Sequence, residues 1–157
     1  MSARLPPILE AQREGVEQDF PGVKTWVGKQ EGEPTFGFLM RQQPTPQNRQ
    51  YWVRYSVSEL GAKVSVIDPL PIKHFEGRST PHLIADGSLC LYDKKTGEWS
   101  IRRPLAQLVQ FSNRWLFHYE HWEAYGEWLG DHEGESWEAQ LAALKIEIAK
   151  CGRRSLR

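Results

Sequence analysis

The sequence predicts an α+β domain: a helix, a four-stranded antiparallel meander, a long irregular segment, then helices. Three features predict it. Apolar residues recur at helical spacing near both ends, recur at every second position between Val23 and Ile67, and hold no period for long from Pro71 to Trp99. At 157 residues the chain has room for one domain, expected over 1–157, and a domain of that size buries a proper core.

The first helix opens at Pro6-Pro7, where a missing N–H would be unpaired anyway. Leu5, Ile8, Leu9, Val16 and Phe20 follow at helical spacing until Pro21-Gly22 stops the run. The period then becomes two. Val23, Thr25 and Val27 alternate with Lys24 and Trp26; Phe36, Phe38 and Met40 with Gly37 and Leu39; Tyr51, Val53, Tyr55 and Val57 with Trp52, Arg54 and Ser56. A shorter apolar run, Val64 to Ile67, ends at Asp68-Pro69. Gly32-Glu33-Pro34, Pro44 to Asn48 and Gly61 supply turn chemistry, so consecutive strands pair as a meander. After Pro104 the helical stripe returns with Leu105, Leu108, Val109, Leu116, Tyr119, Trp122 and Leu129. A final helix is expected from Ser136, a good N-cap, with Trp137, Leu141, Leu144 and Ile148 inward, before a loose basic tail over 152–157.

Composition excludes several classes. Twenty basic side chains balance twenty acidic ones, so no global field recruits nucleic acid or anionic lipid. No apolar run approaches the roughly 18 residues that span a bilayer, so no membrane partner is expected. Met1 to Pro7 lacks the order of a signal peptide, and two cysteines, Cys90 and Cys151, fit a reducing cytoplasm. No cofactor motif is visible. His118 and His121, with Glu120 and Glu123 close by, bring a metal to mind, but a structural zinc wants four firm ligands. The expectation is no metal, with both histidines on a wetter face opposite Leu116, Tyr119 and Trp122.

The chemistry concentrates in Ser79-Thr80-Pro81-His82-Leu83-Ile84-Ala85-Asp86-Gly87-Ser88-Leu89-Cys90-Leu91-Tyr92-Asp93. A cysteine between two leucines, just after a Gly-Ser turn, reads either as a small buried hydrophobe or as an exposed nucleophile on a short extended stretch. Tyr92 and Asp93 follow it, to tune the thiol or simply to pack.

This segment resembles the active-site segment of ubiquitin-conjugating enzymes. There a His-Pro-Asn triplet precedes a Gly-x-hydrophobic-Cys-Leu segment holding the thioester-forming cysteine. Thr80-Pro81-His82 stands where the triplet stands, His82 lying eight residues before Cys90 as the family's asparagine does. Asp86-Gly87-Ser88-Leu89-Cys90-Leu91 matches the rest, and the element order agrees. The resemblance implies a ubiquitin-conjugating-enzyme-like fold. The aromatic block Trp115-Leu116-Phe117-His118-Tyr119-Glu120-His121-Trp122, then Gly126-Glu127-Trp128-Leu129-Gly130, is foreign to eukaryotic members. It is similar to bacterial conjugating-enzyme homologues of anti-phage operons, above all the stand-alone form in type II (short) CBASS.

What the resemblance implies is acyl transfer. The Cys90 thiolate takes the C-terminal glycine of a cGAS-like nucleotidyltransferase (CD-NTase) from the same operon, or of a ubiquitin-like protein, as a thioester, and passes it to an amine. A separate activating enzyme is a further expected partner. His82 supports the transfer, since imidazole donates a hydrogen bond from either nitrogen and also serves as a base near neutral pH. Two other readings stay open: a non-catalytic binding module of the conjugating fold, and a Cys-His hydrolase, which needs a third, orienting group.

Overall fold

The computed structural model describes residues 4–70, 74–75, 78–92 and 98–129. The final helix expected from Ser136, Asp93, Cys151 and the basic tail lie outside the described residues. The chain divides into two compact units, one ending at Phe117 and one beginning at His118.

The first unit opens with α1 (Pro7–Asp19), whose Pro7 occupies the first turn and whose Leu9 and Val16 are buried. The helix ends where the Phe20 N–H donates to the Val16 carbonyl. Glu10 sits in the first turn, the favourable end for a carboxylate, and bonds Arg13 one turn on. Four strands follow in order β1-β2-β3-β4, each antiparallel to its neighbour: β1 (Thr25–Gln30), β2 (Glu33–Gln42), β3 (Tyr51–Ser58) and β4 (Gly61–Asp68). A short ribbon, β5 (His74–Phe75) with β6 (Arg78–Ser79), leads out of the sheet. The last described helix, α2, runs Leu105–Tyr125. The expected α+β architecture is therefore observed, and helix, meander and helix are consistent with the conjugating-enzyme fold.

The register explains which residues are inside. Phe36 opposes Val57, Phe38 opposes Tyr55 and Gln42 opposes Tyr51, and all six are buried. The Phe38 and Tyr55 rings stack at 4.6 Å, the kind of cross-strand pair that adds about 0.2–1 kcal/mol. On the other face Leu39 opposes Arg54 and Arg41 opposes Trp52, and these are exposed or only partly covered. Trp26 lies across Gly37, its partner in register. A Cβ at Gly37 would stand 2.6 Å from the indole, so only glycine leaves the ring its place.

β1 departs from expectation. The alternation begins at Val23, whereas the strand runs Thr25–Gln30 and buries neither face. Val27 is 40% exposed although it opposes the buried Phe36, because β1 is the sheet's edge. Likewise Glu33 and Pro34, expected in a turn, belong to β2; the turn is made by Glu31 and Gly32, both at positive φ.

Two polar groups sit in the middle of the inner face. Tyr55 donates its phenol hydrogen to Gln42 Oε1. Gln42 Nε2 donates in turn to Asn113 Oδ1 at 2.9 Å and to the Val109 carbonyl at 3.3 Å, both on α2. One network thus joins β2 and β3 to α2. From the other side Gln12 of α1 donates to the carbonyls of Ile101 and Arg103, both at 2.6 Å, fixing the approach to α2.

In the second unit Tyr119 bonds Glu123 at 2.9 Å and α2 ends at Gly126, whose N–H donates to the Trp122 carbonyl at a φ of 75°. Here a second expectation fails. His118 does not face solvent: it is 2% exposed, 5.8 Å from the Trp128 ring. It lies three residues after Trp115 and four before Trp122, which puts it on the buried stripe. His121 is half-buried beside Tyr125. Among the described residues no helix is long and apolar enough to cross a membrane.

Burial pushes the Tyr55 phenol well above its ordinary value of 10.0, against the pull of Ser112 and Gln42. A raised folded value stabilises the fold fully below pH 10.0 and loses that contribution as pH climbs toward the folded value. Urea denaturation from pH 8 to 11 therefore shows stability falling above pH 10, and Tyr55→Phe flattens the fall while lowering stability at neutral pH by about 1 kcal/mol.

Candidate active site

After β6 the chain forms a tight hairpin. Leu83 pairs antiparallel with Leu89, flanked by the Ile84 N–H on the Ser88 carbonyl at 2.8 Å and the Cys90 N–H on the His82 carbonyl at 2.9 Å. The tip is closed by the Gly87 N–H on the Ile84 carbonyl, with Gly87 at a φ of 89°, the three-residue hairpin loop that ends on a left-handed glycine. Asp86 reinforces it: Oδ1 accepts the Ser88 amide at 2.9 Å and the Ser88 hydroxyl at 2.6 Å. Those two bonds, hydroxyl first, hold the exposed Asp86 carboxyl below the usual carboxylate range, with Lys63 at 3.5 Å adding to the effect.

Cys90 and His82 are thus opposite one another in the backbone of the hairpin, and both are exposed. The reading of Cys90 as a buried hydrophobe is excluded; the exposed stretch after a Gly-Ser turn is what the structure has. The thiol belongs to an arm anchored at both ends. The preceding residue, Leu89, is buried and donates its N–H to the Val64 carbonyl of β4 at 2.8 Å. Beyond it Tyr92 is half-buried, bonds the backbone of Ala62, and lies 5.4 Å from the Trp99 ring. Trp99 is itself 2% exposed and donates to the Pro104 carbonyl at 3.1 Å. Tyr92 packs there, and burial pushes its phenol up.

His82 is unusual in its backbone. Its φ is 56°, in the left-handed region that glycine, asparagine, aspartate and histidine tolerate best. Its carbonyl accepts a second hydrogen bond at 3.0 Å, from the indole N–H of Trp115 on α2. No local pattern in the sequence signals this bond or the Leu89–Val64 tie, whereas a turn at Gly87-Ser88 just before Cys90 was expected. Among the described residues no group of three His, Cys, Asp or Glu side chains converges as a metal would need.

Residues 12–136 match the family model described as type II CBASS E2 protein, a span that runs from α1 through the hairpin and all of α2. The chain belongs to the type II CBASS E2 family. Membership carries a conjugating-enzyme-like role in CBASS anti-phage defence, and with it partners from the CBASS system. Comparison with curated proteins finds no match.

The left-handed backbone at position 82 sets a clear expectation. A β-branched residue there pays the left-handed penalty of about 1–2 kcal/mol, so His82→Val lowers unfolding free energy by that amount. His82→Gly and His82→Asn carry little of it. Chemical denaturation of the three variants measures this, and equal destabilisation by all three contradicts it.

Proposed function

We propose that this CBASS E2 protein is a cysteine acyltransferase with Cys90 as nucleophile and His82 as its supporting group. The observation that carries the reading is an exposed cysteine joined to an exposed histidine across one hairpin, the Cys90 N–H on the His82 carbonyl. The Cys90 thiolate attacks the carbonyl carbon of an activated C-terminal glycine, a C–S bond forms, and the activating group leaves with its electron pair. An amine then attacks the thioester, a C–N bond forms, and collapse of the tetrahedral oxyanion expels the Cys90 thiolate while the amine's proton passes to a base. The imidazole of His82 either donates to the oxyanion or takes that proton.

The likeness to short CBASS conjugating proteins supports a cGAS-like nucleotidyltransferase as the protein whose tail is loaded. A separate activating enzyme supplies the driving force, since a free carboxylate does not acylate a thiol. The backbone N–H of Cys90 is already given to the His82 carbonyl, so oxyanion stabilisation falls to other donors.

Incubation with the nucleotidyltransferase and an activating enzyme, read on gels with and without thiol reductant, yields a reductant-sensitive adduct. Cys90→Ala abolishes it and leaves the melting temperature within about 2 °C, because an exposed residue away from caps and cores shifts stability little. Absence of any adduct indicates a binding module, and cleavage of the partner indicates a hydrolase. In single-turnover discharge His82→Asn retains much of the rate if donation matters, and falls to the level of His82→Gly if the imidazole is the base.

A further inference from the structure

We propose that Trp115 is a positioning residue for transfer, holding His82 in its left-handed conformation at the position opposite Cys90. The inference rests on the roles of Cys90 and His82 just given.

The His82 carbonyl has two lone pairs and two donors, the Cys90 N–H at 2.9 Å and the Trp115 indole N–H at 3.0 Å. These bonds differ in what they reference. The first lies within the hairpin and travels with it. The second comes from α2, thirty-three residues further along, from a side chain only 3% exposed. A buried indole is confined by its neighbours to one rotamer, so its N–H is a fixed point. The two hairpin arms are therefore fastened separately: the Leu89–Cys90 arm to β4 through Val64, the His82 arm to α2 through Trp115.

The His82 arm is the one that needs fastening. A left-handed histidine sits above its relaxed conformation and returns toward negative φ when its surroundings allow. Such a rotation re-aims the Cα–Cβ bond, and with it the imidazole. The peptide plane after His82 cannot turn while Trp115 holds its oxygen. The indole N–H thus acts on the imidazole through the backbone and never touches the reacting atoms. Loading of Cys90 does not call on His82, whereas discharge does, so the indole N–H affects the second step and spares the first.

Trp115→Phe keeps an aromatic ring and removes the donor. Replacing Trp115 by β-(3-benzothienyl)alanine removes the N–H with the ring outline retained, and serves if phenylalanine disturbs folding. In full-length protein preloaded as the Cys90 thioester, either change slows single-turnover discharge about tenfold and leaves loading within about twofold, the size expected for one neutral hydrogen bond. Hydrogen exchange of the Cys90 amide, which shares the carbonyl, becomes faster in the same variants. In the His82→Gly background neither change slows discharge further, because an N–H that works through the imidazole has nothing left to position. Slow discharge by His82→Gly with normal discharge by both Trp115 variants overturns this proposal alone. Losses that multiply in the double variant also overturn it, since a purely structural role is additive. Wild-type discharge by His82→Gly removes His82 from the chemistry and overturns the reading beneath it.

Discussion

A phenol and a carboxamide buried in the middle of an apolar sheet face must find hydrogen-bond partners, and the partners that Tyr55 and Gln42 find decide where α2 lies. An unmet donor or acceptor there would cost about 1–3 kcal/mol, a large share of the stability of any single domain. Gln42 meets the need with the Val109 carbonyl and Asn113, and Tyr55 with Gln42. Apolar contact alone lets a helix slide or roll by a fraction of a turn; these bonds do not. With Val109 and Asn113 so placed, Trp115 arrives at the His82 carbonyl. The position of an exposed hairpin thus follows from a buried network two elements away.

The candidate site has few parts. Cys90 supplies sulfur and His82 an imidazole, and among the described residues they are set on a left-handed turn, a three-residue tip and one amide bonded to the edge of β4. This accounts for a departure from the conjugating-enzyme pattern. The position that holds asparagine in the resembling motif holds histidine here, and both side chains tolerate the left-handed backbone observed at position 82. The substitution preserves the fold of the turn while exchanging an amide for a group that also accepts protons.

What could be read in advance follows from where burial is one-sided. Tyr51 to Val57 alternate because β3 is central, with one covered face and one wet face, and the pattern in the sequence is the pattern in space. β1 defeated the same logic: an edge strand wet on both sides leaves Val23, Thr25 and Val27 free to alternate without meaning. His118 was misplaced because a polar side chain on a buried stripe looks, in sequence, like the edge of that stripe. Cys90 and His82 were singled out by a spacing shared with the conjugating-enzyme motif, which a hairpin of given length preserves. The bond from Trp115 was not, because it depends on the roll of α2, set by tertiary contacts that no local pattern encodes.

β1 also bears on how the sheet comes apart. With neither face covered, it keeps its place through the ladder to β2 and through Trp26 lying on Gly37, and contributes little apolar burial. Local opening is cheapest where burial is least, so the sheet frays from β1 while Val53, Tyr55 and Val57 hold to the point of global unfolding. The hairpin with Cys90 is tied to β4, at the opposite edge. Breathing at one margin of the sheet is thereby kept three strands away from the thiol, and the sheet is loose where it carries no candidate chemistry and firm where it does.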